Sequence, residues 1–149
     1  MPQIAVNTPI GPLALFEADG AIVAVDWGWL PENEDSPLLS RARTQLEEYF
    51  EGSRKSFDLP LAPHGTEFQR KVWAALSEIP FGATLTYGQL AEKLGTAPRA
   101  LGGACGRNPI PVIIPCHRVL AANGGLGGYS GIDGIETKQF LLKHEGVSL

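Results

Sequence analysis

The sequence predicts an α+β protein: a small N-terminal antiparallel sheet with a helix, followed by a mostly helical C-terminal domain containing a helix-turn-helix. Three observations carry this prediction. Short β-favouring runs separated by turn residues occupy Gln3 to Trp27. From His64 onward, capped segments with helical apolar spacing dominate. Two short helical segments meet around Gly95, the pattern of two helices joined by a tight turn, which any helical hairpin can also show.

The first strands are "IAV", "PLALFEA" and "AIVAVDW", punctuated by Thr8-Pro9-Ile10-Gly11 and by Asp19-Gly20, so a meander is expected. After the polar loop "PENEDSP", Leu38, Leu39, Ala42, Leu46, Tyr49 and Phe50 recur at helical spacing until Gly52. "SFDLPLAP" is expected to return to the sheet as an edge strand, limited by its prolines. Thr66 followed by Gln69 is a capping box, and Phe68, Val72, Leu76 and Ile79 form an apolar stripe that stops at Pro80. Thr86 caps the next short helix, Gly95 breaks it, and another begins near Thr96 and ends before Asn108-Pro109. "IPVIIPCHRVL" is too interrupted by proline for a helix, and "AANGGLGGYSGIDG" lacks the strand and lysine of a phosphate cradle. A last helix is expected over about Glu136 to Glu145, with Gly146 at its C-cap. The boundary between domains is placed at 63/64, giving domains 1–63 and 64–149.

At 149 residues and 44% apolar, the chain can bury a core. No stretch approaches the roughly 18 consecutive apolar residues of a membrane span, and no signal peptide is evident, so a cytoplasmic protein without membrane contact is expected. Cys105 and Cys116 are then expected as thiols, and His64, His117 and His144 lie outside any zinc-ligand spacing. The net charge of −4 is uneven: residues 1–63 carry four basic and ten acidic groups, residues 64–149 eight basic and six acidic. A C-terminal part that meets nucleic acid fits this asymmetry, and so does a solvated acidic face on the N-terminal part.

The chemistry concentrates in "IIPCHRVL", residues 113–120. A cysteine in an apolar run is ordinarily an inert core residue. Here Pro115 fixes the backbone ahead of Cys116, while His117 and Arg118 are polar groups that are expensive to bury without a task. Neighbours in an extended segment point to opposite faces, so a water or a sharp bend must link His117 to the sulfur. A base needs an orienting carboxylate, and Glu145 is the best candidate in the sequence, although a solvated helix end is the plainer explanation for it.

"IPCHRV", preceded by "PRALGGACGRNPIPVI" and followed by "GGYSG" and "KQFLLKHEG", resembles the O6-alkylguanine-DNA alkyltransferases, also called methylated-DNA–protein-cysteine methyltransferases. The likeness runs over nearly the whole chain, from "TPIGPLAL" through "FQRKVWAALSEIPFGATLTYGQLA". It implies a ribonuclease H-like N-terminal domain and a C-terminal DNA-binding and alkyl-transfer domain. It also implies direct-reversal DNA repair: one molecule takes one alkyl group from O6 of guanine onto Cys116, with O4 of thymine as a further candidate source of the alkyl group. His117 would draw the Cys116 proton through water, Glu145 would orient His117, and Asn108 would tie the recognition helix to the active-site turn. Tyr87 would donate to guanine N3, and the Ser130 N–H would assist O6. The carbonyls of Cys116 and Val119 would accept from the exocyclic amine, and Tyr129 and Pro111 would help wall the pocket. The family flips its target base out of the duplex. Arg99 would fill the vacated stack, while Ala100, Gly103 and Ala104 would allow close approach to the minor groove.

The implied partner is double-stranded DNA containing O6-alkylguanine. No cofactor, metal or obligate protein partner is implied, and a monomer is expected. Between Gly95 and Arg99 the chain is shorter than the family usually is, and "SGIDGIET" is longer. Cys105 is expected to serve packing. Three other readings compete. A non-catalytic lesion binder would carry tryptophan at the position of Cys116, a cysteine hydrolase would turn over small esters or amides, and a plain structural domain would simply bury the thiol.

Overall fold

The computed structural model describes residues 1–126 and 134–148, and the chain divides into two compact units, Met1–His64 and Gly65–Leu149. In the first unit, β1 (Gln3–Val6), β2 (Leu13–Ala18) and β3 (Ala21–Trp27) form an antiparallel sheet in the order β1-β2-β3. Asp19 and Gly20, with φ of 51° and 78°, supply the left-handed pair that a two-residue hairpin between β2 and β3 requires. Ser36 caps α1 (Pro37–Glu51), its side chain accepting from the Leu39 N–H, and Gly52 ends the helix in the left-handed conformation. Leu39, Ala42, Leu46 and Tyr49 of α1 are fully buried, as are Leu13 and Leu15 of the sheet.

The expected edge strand over "SFDLPLAP" reduces to a single bridge, with Ile22 N–H donating to Pro60 O and Ala62 N–H to Ile22 O. Pro60 and Pro63 have no N–H to extend a ladder. The buried Gln45 side chain satisfies the neighbouring Asp58 backbone instead, donating to its carbonyl and accepting from its N–H.

In the second unit, Thr66 and Gln69 close a reciprocal capping box at the start of α2 (Glu67–Ser77). Val72 and Leu76 of the expected stripe are buried, as is Ile79 just past the helix, but Phe68 is 37% exposed and Trp73 joins the buried face in place of it. Trp73 does so because its indole reaches the unit's interior and its Nε1–H donates to the Ala104 carbonyl at 2.9 Å. A second capping box, Thr86 with Gln89, starts α3 (Tyr87–Leu94), which Gly95 ends; α4 (Pro98–Gly106) follows with Pro98 in its first turn. Thus α3 and α4 form the expected helix-turn-helix, and α4 packs on both α2 and α3.

Two residues of β4 (Leu85–Thr86) pair in parallel with two of β5 (Val119–Leu120), which brings the start of α3 beside the segment that follows Cys116. The chain closes with α5 (Ile135–His144), past which Val147 N–H donates to Leu142 O and Gly146 adopts φ of 83°.

One contact tests this packing. A Cβ on Gly65 would lie 2.7 Å from Cζ3 of the Trp73 ring, closer than side-chain carbons approach. Gly65→Ala is expected to lower stability by about 1–3 kcal/mol through displacement of that ring, read as a lower urea midpoint.

Candidate functional site

Every residue from Ile110 to Leu120 is buried, and the backbone there is held by a few specific bonds. Asn108 follows α4; its Nδ2–H donates to Ile114 O and its Oδ1 accepts from Ile110 N–H, each at 2.9 Å. The Ile114 and Cys116 N–H groups donate to Ile110 O and Ile114 O. Within this clamp, Val112 sits at φ of 73°, a left-handed conformation that is costly for a β-branched residue and persists only where its surroundings enforce it.

The clamp leads into a single 3-10 turn over Cys116–Arg118. The extended geometry assumed from sequence is therefore corrected: Pro115, at φ −81° and ψ 64°, bends the chain, and the three side chains fan out around a tight helix. Consecutive side chains on such a turn still diverge by about a third of a revolution. His117 points into the protein and is 0% exposed.

His117 Nε2 lies 2.7 Å from Glu145 Oε2. Glu145, at the C-cap of α5, is 3% exposed, so the solvated-end explanation does not hold. The same carboxylate accepts two bonds from Arg118, Nε–H to Oε1 at 2.8 Å and an Nη2–H to Oε2 at 3.0 Å. Arg118 donates a further bond to the Ile79 carbonyl at the end of α2, at 2.6 Å. This bidentate pairing neutralises Glu145 before the imidazole is considered. Burial holds the His117 pKa below its usual 6.5; the bond and charge of Glu145 oppose this, while Arg118 and Lys138 reinforce it. Neutral His117 then donates from Nε2 to Glu145. Nδ1, which has no hydrogen-bond partner among the described residues, keeps its lone pair.

Cys105 and Cys116 are both buried thiols. Burial, with the Cys116 charge, pushes the Cys105 pKa to about 12, which suits a packing role. Tyr87 is half-buried at the start of α3, and burial together with the charges of Cys105 and Cys116 raises its hydroxyl to about 12, so it remains a proton donor at neutral pH. Lys138 on α5 is 0% exposed; its Nζ donates to Val119 O at 2.6 Å and lies 5.8 Å from the centre of the Tyr87 ring. The Val119 carbonyl, assigned from sequence to a substrate amine, thus already accepts one bond.

Pro111 is buried within the clamped segment. On α4, Arg99, Ala100 and Gly103 are exposed, whereas Ala104 is 4% exposed and its carbonyl accepts from Trp73. Ala104 is corrected to the packed side, and helical spacing puts Gly106 and Arg107 on the open face with Arg99. Tyr129 and Ser130 lie outside the described residues. Sequence reading left Arg118 and Lys138 out of the site. The signal for Arg118 was a cation in an otherwise apolar run, and for Lys138 its place between Thr137 and Leu141-Leu142 on the buried face of α5.

A helix-turn-helix unit with a buried cysteine beside a carboxylate-held histidine describes a narrow class of protein. The C-terminal part matches the 6-O-methylguanine DNA methyltransferase DNA binding domain over residues 67–147, and the N-terminal part the ribonuclease-like domain of the same family over residues 4–63. A methylated-DNA–protein-cysteine methyltransferase of Methanosarcina acetivorans is 47% identical, across 94% of this chain and 95% of its own. The constitutive enzyme of that name from Bacillus subtilis is 42% identical, across 95% and 93%. The crystal structure of Mycobacterium tuberculosis OGT in complex with DNA superposes with a TM-score of 0.87 at 39% identity, covering 96% of this chain and 91% of that one. The chain belongs to the 6-O-methylguanine DNA methyltransferase family.

The depressed His117 value has a consequence for stability. Above pH 6.5 the imidazole is neutral in both folded and unfolded chains, and its contribution is flat. Below it, the unfolded chain binds a proton that the folded site refuses, so stability falls by up to about 1.4 kcal/mol per pH unit until the folded value is reached. Urea titrations across this range are expected to show a loss that is smaller in His117→Asn.

Proposed function

We propose that this protein repairs DNA by direct reversal, moving a methyl or larger alkyl group from O6 of guanine to Cys116 in a single turnover. Family membership supports the reaction. The observation that carries the mechanism is the buried Glu145–His117 pair, which leaves Nδ1 as the available base one residue from the thiol.

In this reading the Cys116 proton passes through a bridging water to His117 Nδ1, since neighbouring side chains on a 3-10 turn diverge. The thiolate attacks the alkyl carbon, an S–C bond forms and the C–O6 bond breaks. The electron pair of the broken bond stays with the guanine, which takes up one proton, so thiol plus alkylguanine becomes thioether plus guanine. No step regenerates the thiol. Glu145 fixes the imidazole tautomer, Arg118 fixes Glu145, and Asn108 holds the turn against the end of α4. Tyr87, protonated at neutral pH, donates toward guanine N3, and the Ser130 N–H assists O6 as charge builds there. The carbonyls of Cys116 and Val119 receive the exocyclic amine, Val119 with its remaining lone pair, and Tyr129 and Pro111 complete the pocket.

The DNA complex of the Mycobacterium tuberculosis relative supports DNA as partner, and the lesion in its duplex form is the substrate of this reading. The open face of α4, with Arg99, Ala100 and Gly103, enters the minor groove, and Arg99 fills the place of the flipped base. We assign the alkyl-transfer role to the C-terminal domain and a ribonuclease H-like scaffold to the N-terminal one, in a protein acting as a cytoplasmic monomer. No described helix is long and apolar enough to cross a membrane.

Incubation with a duplex bearing one O6-methylguanine, followed by mass spectrometry of the peptides, is expected to show one methyl on the Cys116 peptide and at most one transfer per protein. Cys116→Ser is expected to bind the duplex and transfer nothing. An unmodified Cys116 peptide from folded protein overturns the reading.

A further inference from the structure

Lys138 is a fully buried ammonium that the reaction outlined above does not use. Its Nζ–H donates to the Val119 carbonyl, and among the described residues no carboxylate lies within ion-pair distance of Nζ. Glu145, the buried acid among the described residues of this unit, binds Arg118 and His117. The described buried site therefore holds two cations, Arg118 and Lys138, against one carboxylate, with a neutral imidazole. A dry cavity tolerates such an excess poorly unless a counter-charge is at hand.

The described groups coupled to Lys138 identify that counter-charge: Tyr87 from α3, whose ring centre is 5.8 Å from Nζ, and, through charge, Cys105 from α4 and Cys116 and His117 from the 3-10 turn. Tyr87 and Cys105 stay protonated at neutral pH, their pKa values both raised to about 12. His117 can only add positive charge. Among the described residues Cys116 is the remaining group able to become an anion, and its charge raises the Lys138 pKa against the lowering by burial.

We propose that Lys138 is a positioning residue for the alkyl transfer, its buried ammonium holding the Cys116 thiolate electrostatically while its bond to the Val119 carbonyl fixes the strand that follows the nucleophile. This rests on Cys116 being the acceptor, and its test does not use DNA. Alkylation of Cys116 replaces a potential anion with a neutral thioether and leaves Lys138 as an uncompensated cation, so the charge state of Lys138 also reports whether the protein has been used.

The experiment measures carbamidomethylation of Cys116 by iodoacetamide against pH, read on its peptide, in the full-length protein and in Lys138→Gln and Lys138→Arg. Gln retains a donor for Val119 O and loses the charge; Arg retains the charge. The proposal expects Lys138→Gln to react about tenfold more slowly at neutral pH with its pH profile displaced upward, and Lys138→Arg to recover most of the rate. Superimposable profiles for folded wild type and Lys138→Gln overturn it. Should Lys138→Gln fail to fold, wild-type protein labelled with 15N at lysine Nζ decides. Capping Cys116 with iodoacetamide is expected to move the Lys138 titration to lower pH, and an unmoved titration overturns the proposal. A failure of methyl transfer from O6-methylguanine with these effects intact would instead count against the proposed function alone.

Discussion

The Glu145 carboxylate is the constraint on which the rest of the site depends. It accepts from His117 on one oxygen and grips Arg118 with both, and it belongs to the last turn of the chain's last helix. Arg118 carries the connection onward to the carbonyl of Ile79 at the end of α2. Three segments distant in sequence therefore converge on one ion pair: the end of α2, the turn containing Cys116, and the end of α5. Removing a single partner would strand a buried charge, a loss of roughly 3–5 kcal/mol, so the arrangement fixes geometry at least as much as it adds stability.

Chemistry follows from the same bonds. With its charge met by Arg118, Glu145 orients the imidazole without making it an imidazolium, and burial completes the bias toward the neutral ring. Asn108 performs a mechanical counterpart on the other side of the nucleophile, bonding Ile110 and Ile114 so that the end of α4 is tied to the buried turn. The left-handed Val112 within that span is a cost that the clamp sustains. The helix proposed to meet DNA and the turn that carries the thiol are thereby linked through one asparagine.

Much of this was legible in the residues. Thr66 with Gln69, Thr86 with Gln89, and the glycines at 52 and 95 mark helix ends through local hydrogen bonding and backbone freedom, which neighbours in sequence determine. What escaped depended on contacts between distant residues. Periodicity could not choose between Phe68 and Trp73 for the buried face of α2, because the choice is made by the Ala104 carbonyl on α4. It could not show that prolines and Gln45 would reduce the expected edge strand to one bridge. Ala104 was grouped with Ala100 and Gly103 by size, whereas its burial follows from its place on the helix. The Cys116, His117 and Glu145 set was named from chemical need and from resemblance. Lys138 escaped it because a basic residue in isolation reads as solvent-facing, and Arg118, though marked as costly to bury beside Cys116, was given no role because its partner Glu145 is distant in sequence.

The central claim is that His117 is a neutral base whose Nε2 carries the proton and whose Nδ1 keeps its lone pair. Nitrogen NMR of the ring in 15N-histidine-labelled protein at neutral pH measures this directly. A protonated Nε2 and an unprotonated Nδ1 are expected. An imidazolium, or a ring protonated at Nδ1 instead, would contradict the account, since neither could take the proton from Cys116 while bonded in this way to Glu145.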